Sequence, residues 1–267
     1  MGADTKKLRN RIKSVNSTLH LTKAMGLVAS SKIKKANRSM LSSREYRNSY
    51  AETVNRLTKS RECMKSPYMQ KRDGNNICLI CIAGDRGLAG GYNANVFKIS
   101  KEYENATIIP IGKRACERFS KPALLVENFG YNDAKNIADK LCTAFANGEY
   151  DKIGIIYTKY ISIMSQEAKL KWILPLEKKE VSDNTSIIFE PDEITVLNSA
   201  IHEYIAALII SYVKESYASE VAARRVAMDS AGKNAQEMID ELGIEYNRAR
   251  QGAITQEITE IVAGSGL

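Results

Sequence analysis

The chain has 267 residues, with 39 Lys or Arg against 31 Asp or Glu, a net charge of +8 with both histidines neutral. Its 44% hydrophobic and 26% charged content sits near the globular average, which excludes wholesale disorder. The longest apolar run, near Tyr204 to Val213, is about half of what spans a bilayer, so no transmembrane helix is expected. The N-terminus also lacks the apolar core of a signal peptide.

Residues 1–66 and 192–267 contain no proline; all five fall between, at 67, 110, 122, 175 and 191. Proline breaks helix interiors, so two long Pro-free ends predict two long helices. The first end carries 16 basic and 4 acidic residues, and the last carries 6 and 12. In the first, Leu8, Ile12, Val15, Leu19, Thr22, Gly26, Ala29, Ile33, Ala36 and Met40 alternate steps of four and three, the seam of a coiled coil. The C-terminal end repeats the pattern at Met228, Ala231, Ala235, Met238, Leu242, Tyr246, Ala249 and Ala253, with Ile254, Ile258 and Ile261 beyond. Small residues line both seams and let helix axes approach. A basic and an acidic helix from opposite ends should pair antiparallel. Gly26, Gly232, Gly243 and Gly252 each cost about 1 kcal/mol against Ala inside a helix. Close packing on the partner helix, or passage past another subunit, would account for them.

Between the helices the pattern alternates. Ile77 to Ala83 reads as a strand, followed by a Gly-rich turn and a helix to about Tyr103. Ala106 to Ile111 reads as a strand and Lys113 to Phe119 as a helix. Ala123 to Val126 is expected as a short strand, and Asp133 to Ala146 as a helix with Ile137, Leu141 and Phe145 on one face. Lys152 to Tyr157, Lys169 to Leu174 and Ser186 to Phe189 are further strand candidates. Successive β-α units indicate a parallel sheet covered by helices. Pro191-Asp192-Glu193 opens the last helix with acids in its first turn.

The expected fold class is therefore α+β. A long antiparallel coiled coil of the terminal helices accompanies a central Rossmann-like α/β domain with a largely parallel sheet. The expected divisions are 1–66 for the N-terminal coiled-coil helix, 67–191 for the central domain and 192–267 for the C-terminal helix.

The turn Gly84-Asp-Arg-Gly-Leu-Ala-Gly-Gly-Tyr-Asn93 stands where phosphate loops stand, after a strand and before a helix. It lacks G-x-x-x-x-G-K-[ST], since neither Gly90 nor Gly91 is followed by Lys, and it lacks G-x-G-x-x-G spacing. A tight turn explains the glycines, so no cofactor is expected. Cys63, Cys78, Cys81, Cys116 and Cys142 read as reduced thiols. Cys78 and Cys81 have redox or zinc spacing, but residues i and i+3 of a strand point to opposite faces, so no metal is expected either. His20 and His202 stand apart from any ligand cluster, and no nucleophile with a base nominates a catalytic residue. The basic first helix has the charge of a nucleic-acid or lipid binder, or of a transit peptide. The sustained seam argues against both, and a basic coiled-coil nucleic-acid-binding adaptor stands as the alternative reading.

Three segments resemble the γ subunit of F-type (rotary) ATP synthases. They are Leu8 to Val15 continuing through Leu21-Thr-Lys-Ala-Met25-Gly-Leu-Val-Ala-Ser-Ser-Lys-Ile33, then Gly84 to Asn93, then Ser219 to Met228 with Tyr246 to Val262. The resemblance covers the whole chain in order. It implies a non-catalytic rotor shaft, free of cofactor and nucleic acid, that couples ion flow through a membrane ring to ATP synthesis or hydrolysis at the β subunits. It implies contacts with α and β subunits, the ε subunit and the ring of c subunits. Carried over residue by residue, it places the rotor–β contacts at Met25, Arg224, Arg250, Gln251, Thr255 and Glu257. The central motif turn falls at Gly84, Asp85, Arg86, Gly87, Gly90 and Asn93. From the juxtaposition of Met25 with Arg224, paired positions should sum to about 249. The chain departs from the family in being short between Leu176 and Pro191, in having Ala89 where many relatives have Cys, and in lacking a cysteine-bearing insertion of the chloroplast type. Without a presequence, the expectation is a bacterial protein held peripherally at the cytoplasmic face of the cell membrane.

Overall fold

The computed structural model describes residues 3–177 and 189–266. They form two compact units, one of residues 1–30 with 224–267 and one of residues 31–223. Helices α1 (Ala3–Leu57) and α5 (Glu193–Ser265) contribute to both. Asp192 starts α5: its carboxylate accepts from the Thr195 backbone N–H and hydroxyl, each at 2.8 Å, which satisfies a first-turn donor and places a negative charge at the positive helix end.

In the first unit α1 and α5 run antiparallel along the predicted seam. Leu19, Thr22, Gly26 and Ala29 are buried, as are Met228, Ala235 and Leu242. Contacts of Gly26 with Arg225 and of Thr22 with Gly232 give position sums of 251 and 254, a few residues beyond the expected 249. Met238 is 40% exposed, and the half-buried Ile239 takes its place, restoring steps of four and three through Ala235, Ile239, Leu242 and Tyr246. Two glycines face the partner helix: a Cβ on Gly26 would lie 3.7 Å from that of Met228, and one on Gly232 would lie 3.5 Å from the Thr22 hydroxyl. Gly243 and Gly252 meet nothing within 4 Å, so close helix packing does not account for them.

The second unit is built on a four-stranded sheet. The elements after α1 are β1 (Ile77–Ile82), α2 (Tyr92–Lys101), β2 (Thr107–Ile111), α3 (Lys113–Arg118), α4 (Tyr131–Ala146), β3 (Lys152–Tyr160) and β4 (Gln166–Leu174). Strand order is β2-β1-β3-β4, with β1 parallel to both neighbours and β4 antiparallel to β3. Alternate side chains feed two cores. Cys78, Ile80, Ile82, Ile153 and Ile155 pack under α4 and α5, while Leu79, Cys81 and Ile156 pack with Val96 of α2 and Ala115 of α3. Cys78 and Cys81 therefore lie on opposite faces of β1, both as free thiols. Burial pushes each up to about 12.

Three expectations are revised or fall outside. Ala123 to Val126 forms no strand, because its backbone groups are taken by other partners: Leu124 O accepts from Gly112 N at 2.7 Å, Leu124 N donates to Cys116 Sγ at 3.4 Å, and Val126 N donates to the Asp85 carboxylate at 3.0 Å. Ser186 to Ile188 lie outside the described residues, and Phe189 is not in a strand. Finally, α5 contains an 18-residue window of mean hydropathy 1.4, long and apolar enough by length and composition to cross a bilayer, which a count of uninterrupted apolar residues missed. Half of that window is buried. Leu197, Ile201, Ile205, Ile209 and Val213 of the same helix are fully buried in the core beneath the sheet, as in the core helix of a water-soluble domain.

Gly112, after β2, has φ +96°, and a Cβ there would sit 1.9 Å from the Ala83 carbonyl oxygen. Gly112→Ala should lower stability by about 3 kcal/mol or more, since backbone rather than a flexible side chain must move. Gly243→Ala, in open helix, should raise it by about 1 kcal/mol. Urea denaturation of the two variants checks both; equal midpoints would contradict the geometry.

Candidate functional site

The Gly84 to Asn93 turn is organised around its own side chains. Gly84 N donates to Asn93 Oδ1 at 2.8 Å, and Asn93 Nδ2 reaches the Arg86 carbonyl at 3.5 Å. Asp85 is the hub: Oδ1 accepts from Lys113 N and Val126 N at 3.0 Å each, and Oδ2 from Glu127 N at 2.9 Å. One carboxylate thus ties the turn, the start of α3 and the loop before α4 together. Leu88 (φ 60°) and Gly90 (φ +57°) give the turn its tight path. Gly84 has a second reason to lack a side chain: a Cβ would meet the carboxylate carbon of buried Glu220 at 2.8 Å.

Glu220 is one of several polar residues by which α5 docks on the sheet. The β1–β3 pairing ends at Cys81 and Ile156, so β3 outruns β1 and would leave an unpaired edge. Side chains of α5 take the place of the missing strand. Thr158 N donates to Ser216 Oγ at 3.1 Å, Tyr160 N donates to Glu215 Oε1 at 3.2 Å, and Ser219 Oγ donates to the Thr158 carbonyl at 3.0 Å. Tyr92, the first residue of α2, donates its buried hydroxyl to the Ser216 carbonyl at 3.0 Å. Burial and the neighbouring Glu220 charge push that phenol far above its ordinary value. Glu215, 3% exposed, is neutralised from α1 by Arg44, whose Nη2 and Nε lie 2.6 and 3.3 Å from its two oxygens, with Arg47 Nη1 at 3.9 Å. Two parallel N–H···O bonds are the strong geometry for a buried carboxylate.

A more exposed cluster lies beside it. Glu127 accepts from Lys32 Nζ at 2.6 Å and the Tyr217 hydroxyl at 3.4 Å, with Arg86 Nη2 at 3.7 Å. The residues expected to meet β subunits are placed as follows. Met25 and Arg224 are half-buried in the helix-pair unit. Arg250, Gln251, Thr255 and Glu257 are exposed along the last turns of α5. Thr255 Oγ1 donates to the Gln251 carbonyl at 3.0 Å, which leaves its oxygen able to accept a hydrogen bond. Beside Arg224, Arg225 ties the helices: its guanidinium bonds the Gly26 carbonyl at 3.1 Å, the Ser30 hydroxyl, and Asp229 at 2.8 Å. Arg44, Glu215, Ser216, Ser219, Glu127 and Lys32 escaped sequence reasoning. The signal was Lys214-Glu-Ser-Tyr-Ala-Ser-Glu220, a polar interruption of an otherwise apolar helical stretch. Among the described residues no group of three His, Cys, Asp or Glu could hold a metal ion.

These features define a class of protein: a long antiparallel helix pair with an α/β domain whose crevice at the ends of β1 and β3 is filled by its own helix. A family model described as ATP synthase matches residues 4–266. The ATP synthase gamma chain of Ruminococcus albus is 40% identical, covering 98% of each chain. The sodium-ion-specific gamma chain of Acetobacterium woodii is 36% identical over 99% of each, and that of Mycoplasmopsis pulmonis is 39% identical over 97% of this chain and 98% of its own. The fold is similar to a chain of the Euglena gracilis mitochondrial ATP synthase solved as OSCP/F1/c-ring, with TM-score 0.69 and 18% identity over 99% of this chain and 94% of that one. The chain belongs to the gamma-chain family of ATP synthases.

The Glu127 carboxyl is held below its usual range, first by the hydrogen bond from Lys32, and the same bond holds Lys32 above its own. The pair's contribution is therefore complete between the unfolded values of about 4.3 and 10.4. It fades as pH falls through the lowered Glu127 value or rises through the raised Lys32 value. Both groups are more than a third exposed, so the effect is modest. The melting-temperature difference between wild type and Glu127→Gln should be largest near neutrality and shrink below about pH 4. A difference constant across pH would contradict the pairing.

Proposed function

We propose that this chain is the turning central shaft of a bacterial F-type ATP synthase and itself holds no nucleotide or catalytic residue. The helix pair stands inside a ring of alternating α and β subunits. The α/β domain meets the ε subunit and the ring of c subunits, at the cytoplasmic face of the cell membrane. A shaft acts by conformational coupling: its orientation changes the affinity of a β site only through contacts that differ between the states of that subunit. Residues 1–66, 67–191 and 192–267 are the working divisions, with the first and last forming the shaft.

The observation that carries this reading is the end of α5. Ile254, Ile258, Ile261 and Val262 are 47–69% exposed there, beside exposed Arg250 and Gln251. An apolar stripe of that size on a stable helix marks a surface made for a partner, and charged and amide groups within it give the contact its selectivity. Arg250 presents a fixed fork of donors suited to a carboxylate, and Gln251 both donates and accepts. The proposed rotor–β contacts are Met25, Arg224, Arg250, Gln251, Thr255 and Glu257. The Gly84 to Asn93 turn is the structural junction of the central domain.

Charge-assisted contacts contribute about 1.5–3 kcal/mol each. Losing a state-specific one should alter β-site affinities by roughly tenfold to a hundredfold. Arg250→Ala combined with Gln251→Ala should leave the complex assembled but slow multisite ATP turnover and weaken coupling to ion transport. Met25→Lys should also lower coupling by placing a flexible cation at the contact. The assay is ATP hydrolysis and ion pumping by the assembled variants, with subunit composition checked; wild-type rates and coupling would mark these as ordinary solvated helix residues.

A further inference from the structure

A cleft of about 230 Å³ lies between α1, the second half of β4 and α5, wholly inside the unit of residues 31–223. It includes neither the Gly84 to Asn93 turn nor the end of α5. Its walls have two characters. Val54, Leu176 and Leu208 are buried and make one side apolar. Arg47, Lys171, Tyr204 and Tyr212 supply the polar side.

Those polar groups are donors. Tyr204 and Tyr212 are 8% and 6% exposed, yet neither hydroxyl has a hydrogen-bond partner among the described residues. Buried phenols ordinarily find one. Both side chains line the cleft, and neither hydroxyl is sealed from solvent. Burial pushes Tyr204 up to about 12 and raises Tyr212 as well, so both stay protonated at neutral pH and can donate. The Arg47 guanidinium carbon stands 5.2 Å from the centre of the Tyr212 ring. Its nearest carboxylate oxygen, on Glu215, is 3.9 Å away and already accepts from Arg44 Nε at 3.3 Å, so the Arg47 charge is only partly answered. Lys171 is exposed and makes no ion pair among the described residues. It shares a face of β4 with Ile173, which packs in the core beneath α5. The one carboxylate of the lining, Glu177, is exposed.

Two unpartnered donors beside two cations suit an acceptor that carries negative charge, and the apolar side suits a hydrocarbon body. An apolar cavity of about 150 Å³ holds benzene, so this cleft has room for an aromatic ring with a short acid chain. We propose that the cleft is a binding site for a small aromatic carboxylate. The ring lies against Val54, Leu176 and Leu208, and the carboxylate sits among Arg47, Lys171 and the two phenols. A ligand so held bridges α1, β4 and α5. Binding is a property of the chain itself, independent of its part in a rotor.

The test is calorimetric titration of the full chain with 3-phenylpropionate. Wild type should bind it saturably, with a dissociation constant below about 1 mM. 3-Phenylpropionamide, with the same ring and no charge, should bind at least about tenfold more weakly. Inorganic phosphate, a charge with no apolar body, should give no saturable heat. Tyr204→Phe removes a hydroxyl that no described group of the protein uses. It should leave the melting temperature of the unliganded chain unchanged or raised, while weakening the carboxylate about tenfold. Lys171→Gln, at an exposed position, should weaken the carboxylate about threefold, and it decides if Tyr204→Phe folds poorly. The proposal is overturned by no saturable heat from the carboxylate with wild type, by equal affinities for carboxylate and amide, or by saturable phosphate binding. Carboxylate affinity unchanged in both variants overturns it as well.

Discussion

The constraint on which the second unit depends is the unpaired edge of β3. The strand runs four residues past its pairing with β1, and buried backbone N–H and C=O groups cannot be left without partners. The solution fixes the position of α5, because Ser216, Ser219 and Glu215 must stand where a neighbouring strand would have stood. It then fixes α1. A carboxylate 3% exposed needs a counter-charge, and Arg44 supplies it in bidentate form. Removing one member of such a pair leaves a buried charge alone, at a cost of about 3–5 kcal/mol. The terminal helices are thus joined to the sheet by a requirement of hydrogen bonding that apolar burial alone would not impose.

The same logic explains why a Gly-rich turn after a first strand holds no obvious phosphate cradle. Its carboxylate, Asp85, faces inward and gathers three backbone N–H groups from neighbouring segments. Glu220 brings a second negative charge against Gly84. An anion would meet like charge where phosphate-binding turns offer bare N–H groups and a lysine. Within the turn, Gly84 answers to the close approach of Glu220 and Gly90 to a positive φ.

Much of this was legible in the sequence because it is periodic. The four-and-three spacing from Leu8 to Met40 locates a helix and its buried face, and the strand geometry of Ile77 to Ala83 places Cys78 and Cys81 on opposite faces. Pro191 stands two residues before the start of α5, while α1 ends at Leu57, ten residues short of Pro67. What stayed hidden was non-periodic. Ala123 to Val126 looks like a strand by composition, but Asp85, some 40 residues earlier in the chain, claims the Val126 N–H, and Cys116 claims that of Leu124. Met238 and Ile239 are equally apolar, and only the partner helix decides which faces inward. The Arg44–Glu215 pair joins residues 171 apart in the chain, a relation that no local pattern encodes. The expected contacts at Arg250 and Gln251 came from resemblance; the chain alone shows only that they are exposed on α5 beside an exposed apolar stripe.

The central claim is that this chain turns. The most direct measurement attaches a visible probe to the α/β domain of the chain assembled with its α and β subunits on a surface, and follows the probe's angle while ATP is supplied. The account predicts sustained rotation in one direction that stops when ATP is removed. ATP hydrolysis by the same assembled complex with the probe held at a fixed angle would contradict it.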